Sequence, residues 1–278
     1  MNPEPRLRED YTERQVEAAH RVLIDIGQVL ASFVDCMVLI GGWVPDLLLP
    51  EAEERHVGSI DVDLALDADR LHDGRYAELL QLLIDTKRYA PGQKAFQLVA
   101  QVDLDDGEPP VQVEVEFLAP ADVELKKNKP KLMGGFRVLQ TEGCSEAFRA
   151  PVERALSGPN VRGAENKVRL RVASLPDFLV LKALAIGGRD KPKDSYDLCY
   201  TLGNLPDGIE AVARSWRERL GERNVVRAVG ILREKFASVG AFGPQQVVEF
   251  YEATDKAEQA EQARRAYELV QRLLQLLG

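Results

Sequence analysis

Residues 9–33, EDYTERQVEAAHRVLIDIGQVLASF, carry Val16, Ala19, Leu23, Ile26 and Leu30 at three- and four-residue intervals, the spacing of one helical face. They predict a long amphipathic helix. The pattern then changes: CMVLIG at 36–41 is an unbroken apolar run that predicts a buried strand, closed by Gly41 and Gly42. WVPDLLL follows as a short helix stopped by Pro50, and EAEERHVG is a polar connection. In SIDVDLAL, residues 59–66, strict alternation sets Asp61 and Asp63 on one strand face and Ile60, Val62 and Leu64 on the other. DRLHDGRYAELLQLLIDTK returns to helical spacing, and FQLVAQVDL and VQVEVEFL predict a strand pair divided by DDGEPP.

From 130 to 172 the periodicity weakens: GGFRVL and KVRLRV are the candidate strands, and SGPNVRGAEN between them is expected to be a loop. The last hundred residues read as helical. SLPDFLVLKALAI begins with Ser174 as N-cap and Asp177 placed for a capping box, and Gly187 and Gly188 end it. DSYDLCYTL is the next helix, with Asp194 at its start, and three or four more follow. With no internal repeat, the order predicts a mixed α/β (α+β) fold: an α/β domain over 1–172 and a helical domain over 173–278.

Composition changes little in this picture. At 278 residues, 45% hydrophobic and 29% charged, the chain can bury a substantial core. Cys36, Cys144 and Cys199 are far apart and odd in number, which fits a reducing cytoplasm better than a disulfide framework or a zinc site. The start, MNPEPRLRED, lacks an apolar leader segment, and the longest apolar stretches fall short of the ~20 residues of a membrane span. A net charge of -9 provides no global attraction for nucleic acid. Local basic clusters exist at 126–131, KKNKPK, at 189–193, RDKPK, and along Arg214, Arg217, Arg219, Arg223 and Arg227; the arginine series also reads as a solvated surface.

Three features bear on chemistry. Gly41 and Gly42, at the mouth of a helix, either admit a phosphate close to the backbone or form a tight turn. Asp61 and Asp63, and about fifty residues on Glu114 and Glu116, put carboxylates on one face of each of two strands. Such a face is either wet or the oxygen-rich set that magnesium prefers. In LKALAIGGRDKPKDSYDL, residues 181–198, Lys182, Arg189 and Lys193 supply charge for a triphosphate; alternatively Asp194 is an N-cap and Lys182 a snorkelling side chain.

Taken in order, LIGGWVPDLLL, GSIDVDLAL, VEVEFL and LKALAIGGRDKPKDSYDL resemble the AbiEii/AbiGii-type nucleotidyltransferases over roughly residues 36–202. These belong to the polymerase-β-like nucleotidyltransferase superfamily and include toxins of toxin-antitoxin systems. The family pattern is a strand-terminal Gly-Gly or Gly-Ser, Asp-x-Asp, a third acid on a later strand, and a distal Lys…Arg…Lys/Arg-Asp-x-x-Asp-Leu. The resemblance implies a polymerase-β-like domain with a mixed sheet, completed at the nucleotide site by the helical domain. It implies that Gly41, Gly42 and Ser59 border the nucleotide and that Asp61 and Asp63 hold Mg2+ or Mn2+, with an acid of the 114–116 pair completing the triad. Glu116 is favoured over Glu114, being nearer the strand's C-terminal end. Lys182, Arg189 and Lys193 would contact the phosphates of an NTP, and Asp194 would support the site. The third acid is Glu where the family more often has Asp.

The function implied is transfer of an NMP from an NTP to an acceptor hydroxyl by a two-metal mechanism. The acceptor is a tRNA or a protein, an antitoxin is a possible partner, and Lys126, Lys127, Lys129 and Lys131 are candidates to hold a tRNA end. The rival is a catalytically silent member of the fold that binds a nucleotide or partner; a metal-dependent phosphoesterase ranks last, because the chain lacks a His-rich metal set.

Overall fold

A computed structural model describes residues 4–67, 70–71, 75–121 and 138–278. The chain separates into two compact units: Thr12–Val44 with Gly58–Ser174, which holds the sheet, and Met1–Tyr11, Pro45–Val57 and Leu175–Gly278, which is helical.

In the sheet unit, α1 (Glu13–Val29) starts where Thr12 and Gln15 cap one another reciprocally, which satisfies two of the otherwise orphaned donors of the first turn. Its apolar stripe, including Val22, Leu23 and Ile26, is fully buried and packs on the sheet. Gly27 permits this closeness: a Cβ there would lie 2.9 Å from Val168. The first strands are β1 (Met37–Ile40) and β2 (Asp61–Leu66), and α2 (Trp43–Leu48) and α3 (Arg75–Asp85) follow β1 and β2 respectively. Next come β3 (Tyr89–Pro91), β4 (Gln97–Val102), β5 (Val111–Pro120), β6 (Leu139–Thr141), β7 (Val152–Pro159) and β8 (Glu165–Val172). The sheet order is β3-β4-β5-β2-β1-β8-β7, with β6 paired to β5.

The sheet is mixed: β2 runs parallel to β5 and β1 parallel to β8, whereas β1–β2, β3–β4, β4–β5 and β7–β8 are antiparallel. The β4–β5 pair is the one the alternation predicts. SGPNVRGAEN departs from expectation, for its ends lie in β7 and β8 and only the centre turns. There the Asn160 side chain accepts the N–H groups of Arg162 and Ala164, an arrangement Asn favours in turns. β7 forms one margin of the sheet, and its end, Ser157–Pro159, has the composition of a loop. Of GGFRVL, residues 134–137 lie outside the described residues, and Leu139 begins β6.

The helical unit contains α4 (Leu175–Gly188), α5 (Pro192–Gly203), α6 (Gly208–Arg217), α7 (Arg223–Lys235), α8 (Phe242–Tyr251) and α9 (Lys256–Leu277). α4 is apolar nearly all round and is accordingly buried among α5, α6 and α7. Trp216 of α6 is wholly buried and donates its indole N–H to the Pro176 carbonyl at 3.1 Å. Asp177, expected as a capping-box acid, pairs with Arg219 Nη1 at 2.7 Å, and both side chains are buried. Arg219 therefore stands apart from the surface series to which its sequence assigns it.

Candidate active site

The acids gather because of strand register. β2 and β5 pair in parallel with Asp61 opposite Glu114 and Asp63 opposite Glu116, and directly paired residues in a sheet point to the same face. All four carboxylates therefore share one face. The alternate residues Val62, Leu64, Val113, Val115 and Phe117 are fully buried on the other and anchor the register, since a one-residue slip would exchange the two sets.

Local contacts aim these acids. Ser59 Oγ donates to Asp61 Oδ1 at 2.6 Å, and the buried Trp43 at the start of α2 donates its indole N–H to the Asp61 carbonyl at 2.8 Å. Gly41 has φ +74°, and a Cβ built on it would stand 2.2 Å from Asp63 Oδ2. The glycine's missing side chain is thus the space in which the Asp63 carboxylate lies. On the other flank the buried Gln97 of β4 faces Glu116 and donates to Glu114 Oε2 at 2.5 Å and Glu116 Oε1 at 3.3 Å. Lys94, in the turn between β3 and β4, donates to Glu116 Oε1 at 2.8 Å. Burial raises the Glu114 carboxyl above its ordinary value; Lys94 opposes that rise, while Glu116 and Asp61 reinforce it. Glu116 is the more enclosed glutamate, with 17% of its side chain exposed against 42% for Glu114.

Sequence reading missed Lys94 and Gln97. The only available signal was antiparallel pairing across DDGEPP, which sets Gln97 beside the acids once the register is counted back from the turn.

A second cluster of predicted residues lies in the helical unit. Lys182 Nζ sits 2.8 Å from Asp194 Oδ1 and 2.7 Å from Asp197 Oδ2, the latter an ion contact rather than an aligned hydrogen bond. Arg189 grips Asp194 through two nitrogens at 2.7 and 2.9 Å, and Lys193 reaches Asp197 Oδ1 at 2.8 Å. His56 Nε2 is also 2.9 Å from that oxygen, and its ring stacks on Tyr196. Burial alone would discharge Lys182, but Asp194 and Asp197 together outweigh it and hold the ammonium above its ordinary value. Burial also opposes ionisation of Asp194, yet Lys182 and Arg189 bring its carboxyl down to about 2. Asp197 is likewise held well below the carboxylate range, by Lys182, Lys193 and His56 against burial. His56, by contrast, is pushed below its ordinary value chiefly by burial, against the pull of Asp197. Asp194 and Lys182 are thus neither simple cap nor snorkeller. Asp197 and His56 complete a set in which only the Arg189 side chain, 53% exposed, keeps substantial access to solvent.

Among the described residues no group of three or more His, Cys, Asp or Glu side chains closes around a point that would hold a metal ion. The donor set nonetheless fits an oxygen-preferring divalent cation, being four carboxylates in register on one face with no sulfur and no imidazole. Lys126, Lys127, Lys129 and Lys131 lie outside the described residues. Cys36, Cys144 and Cys199 are buried free thiols, and no described helix is long and apolar enough to cross a membrane.

Among solved structures, the chain is similar to an antigenic nucleotidyltransferase-like protein from Paracoccidioides brasiliensis, at 16% identity and a TM-score of 0.43, over 83% of this chain and 91% of that one. No match is found among the curated proteins. The model of the family described as nucleotidyl transferase AbiEii toxin, Type IV TA system, matches residues 29–274, nearly the whole sequence and every residue of both clusters. The chain belongs to the AbiEii nucleotidyltransferase toxin family.

Proposed function

We propose that the protein transfers a nucleoside monophosphate from an NTP to an acceptor hydroxyl, with the face formed by Asp61, Asp63, Glu114 and Glu116 as the reacting centre. The observation that supports this most is the in-register pairing of β2 and β5, which aligns two acid pairs that the sequence separates by fifty residues. Asp61, Asp63 and Glu116 would hold Mg2+ or Mn2+, which when bound neutralises phosphate charge and acidifies the attacking hydroxyl. The acceptor oxygen forms a bond to the α-phosphorus as its proton passes to solvent, the α–β phosphoanhydride bond breaks, and pyrophosphate leaves in line. Ser59 orients Asp61, Gly41 leaves room for Asp63, and Gln97 steers the glutamates, so these residues contribute position, and no histidine base is required.

Arg189 is the cation of the second cluster we assign to substrate phosphates. It holds Asp194 through one edge while half of its side chain stays open, whereas Lys182 and Lys193 are enclosed by aspartates. A tRNA or protein acceptor and an antitoxin partner accord with a family of toxins from type IV toxin-antitoxin systems, and we propose a cytoplasmic setting.

The test is incubation of the full chain with each α-labelled NTP, Mg2+ or Mn2+, and cell RNA or lysate. Label joined to a macromolecule with release of pyrophosphate, and neither with Asp63→Asn, is the expected result. Nucleotide binding without pyrophosphate release would establish the silent reading instead, and hydrolysis without transfer a phosphoesterase.

A further inference from the structure

The turn between β3 and β4 is shaped to deliver a cation to the acid face. The Gly92 N–H donates to the Gln97 carbonyl at 2.8 Å, and a Cβ on Gly92 would lie 2.4 Å from Gln97 Oε1, so the turn is pressed against the side chain that steers the glutamates. From this turn Lys94 places its Nζ 2.8 Å from Glu116 Oε1, 4.0 Å from Glu114 Oε2 and 5.7 Å from the Phe96 ring centre. Gln97 is buried and fixed, whereas the Lys94 side chain is 54% exposed at the end of a flexible stem. Its ammonium can therefore leave the carboxylates without breaking a backbone hydrogen bond.

Electrostatics explains the arrangement. Four carboxylates on one face repel one another, and without a counter-ion that repulsion opposes the folded arrangement. We propose that Lys94 is a tethered counter-ion: it holds Glu116 and Glu114 in the metal-free protein, and a divalent cation must displace it to take the same oxygens. The lysine then weakens metal binding while keeping the acid face assembled. This inference rests on the acid face being the metal site.

The experiment is Mn2+ binding to the full chain without nucleotide, read from the electron paramagnetic resonance signal of free Mn2+. Wild type, Lys94→Met, Lys94→Arg and Asp63→Asn are compared. Lys94→Met should bind Mn2+ about two- to fivefold more tightly, the worth of a half-exposed ion pair, while Lys94→Arg restores wild-type affinity. Binding by Lys94→Met where wild type shows none would support the proposal in stronger form. Equal or weaker binding in Lys94→Met, with binding lost in Asp63→Asn, would overturn the counter-ion and leave the metal site standing. Unchanged binding in Asp63→Asn, or no binding in any variant, would overturn both.

Discussion

Lys182→Met tests whether the buried lysine belongs to the fold or to the nucleotide. Methionine keeps much of the stem's volume and removes only the charge. Breaking a buried ion pair by deleting one partner costs about 3–5 kcal/mol, because the remaining charge stays desolvated. Here Asp194 retains Arg189, and Asp197 retains Lys193 and His56, so the lower end of that range, about 3 kcal/mol, applies. In a domain of this size that corresponds to a fall in melting temperature of about 6–12 °C. A pH series adds a second readout. The Asp194 carboxyl lies at about 2 in the folded chain against 3.8 ordinarily, so its stabilisation is present above 3.8 and lost as pH falls through about 2. Lys182 has the opposite sign: its stabilisation is complete below 10.5 and is lost as pH rises through its elevated folded value. Without the lysine both aspartates protonate more readily, and the acid unfolding midpoint should move up. Melting by circular dichroism from pH 2 to 8 measures the fall in melting temperature and the shifted acid midpoint. A variant that melts within about 2 °C of wild type, with an unmoved acid midpoint, would refute the structural role and return Lys182 to the phosphates.

Gly41→Ala should reduce turnover by about 100-fold or more while lowering stability by only about 1–2 kcal/mol, since the new methyl displaces the Asp63 carboxylate and sits at positive φ; nucleotidyl transfer and a thermal melt on the same sample check it. Glu116→Gln should abolish transfer and weaken Mn2+ binding, whereas Glu114→Gln, the more exposed neighbour, should keep most of both; the reverse result would shift the third metal-binding position by one pleat repeat. Arg189→Met should raise the KM for NTP with little change in kcat, the pattern of a lost binding contact, and a change confined to kcat would contradict its assignment to phosphate.

What was legible follows from what local pattern can encode. β2, α1 and the β4–β5 pair announce themselves because each alternates or repeats against an apolar face, and β1 because it is an unbroken apolar run. The acid pairs were visible for the same reason: Asp61 and Asp63 are anomalous in a strand whose other positions are aliphatic. β7 was lost because it ends in Ser157, Gly158 and Pro159, residues that read as a turn, and none of its side chains is fully buried to give an apolar signal.

The partners of charged residues were not legible, and the reason is physical rather than statistical. A Lys, Arg or Asp in a helix reads as surface because burying it unpaired is prohibitive, so the inference fails only where a distant residue supplies the opposite charge. Asp177 and Arg219 lie 42 residues apart, and His56 and Asp197 are separated by 141. Nothing in either neighbourhood signals the other. Within KDSYDL, however, spacing does carry a clue: Lys193 and Asp197 are four apart, on one helical face, and in the fold they pair at 2.8 Å. The same motif places Asp194 one residue on from Lys193, where it meets Lys182 from the middle of the preceding helix and Arg189 from just beyond its end. Both carboxylates of this short segment thus meet at Lys182, and each has a further cation of its own, Arg189 for Asp194 and Lys193 for Asp197. A motif of this kind can arise to lock α4 against α5 in a set geometry, and only the variants of Lys182 and Arg189 separate that role from chemistry: the first should register in stability, the second in the KM for NTP.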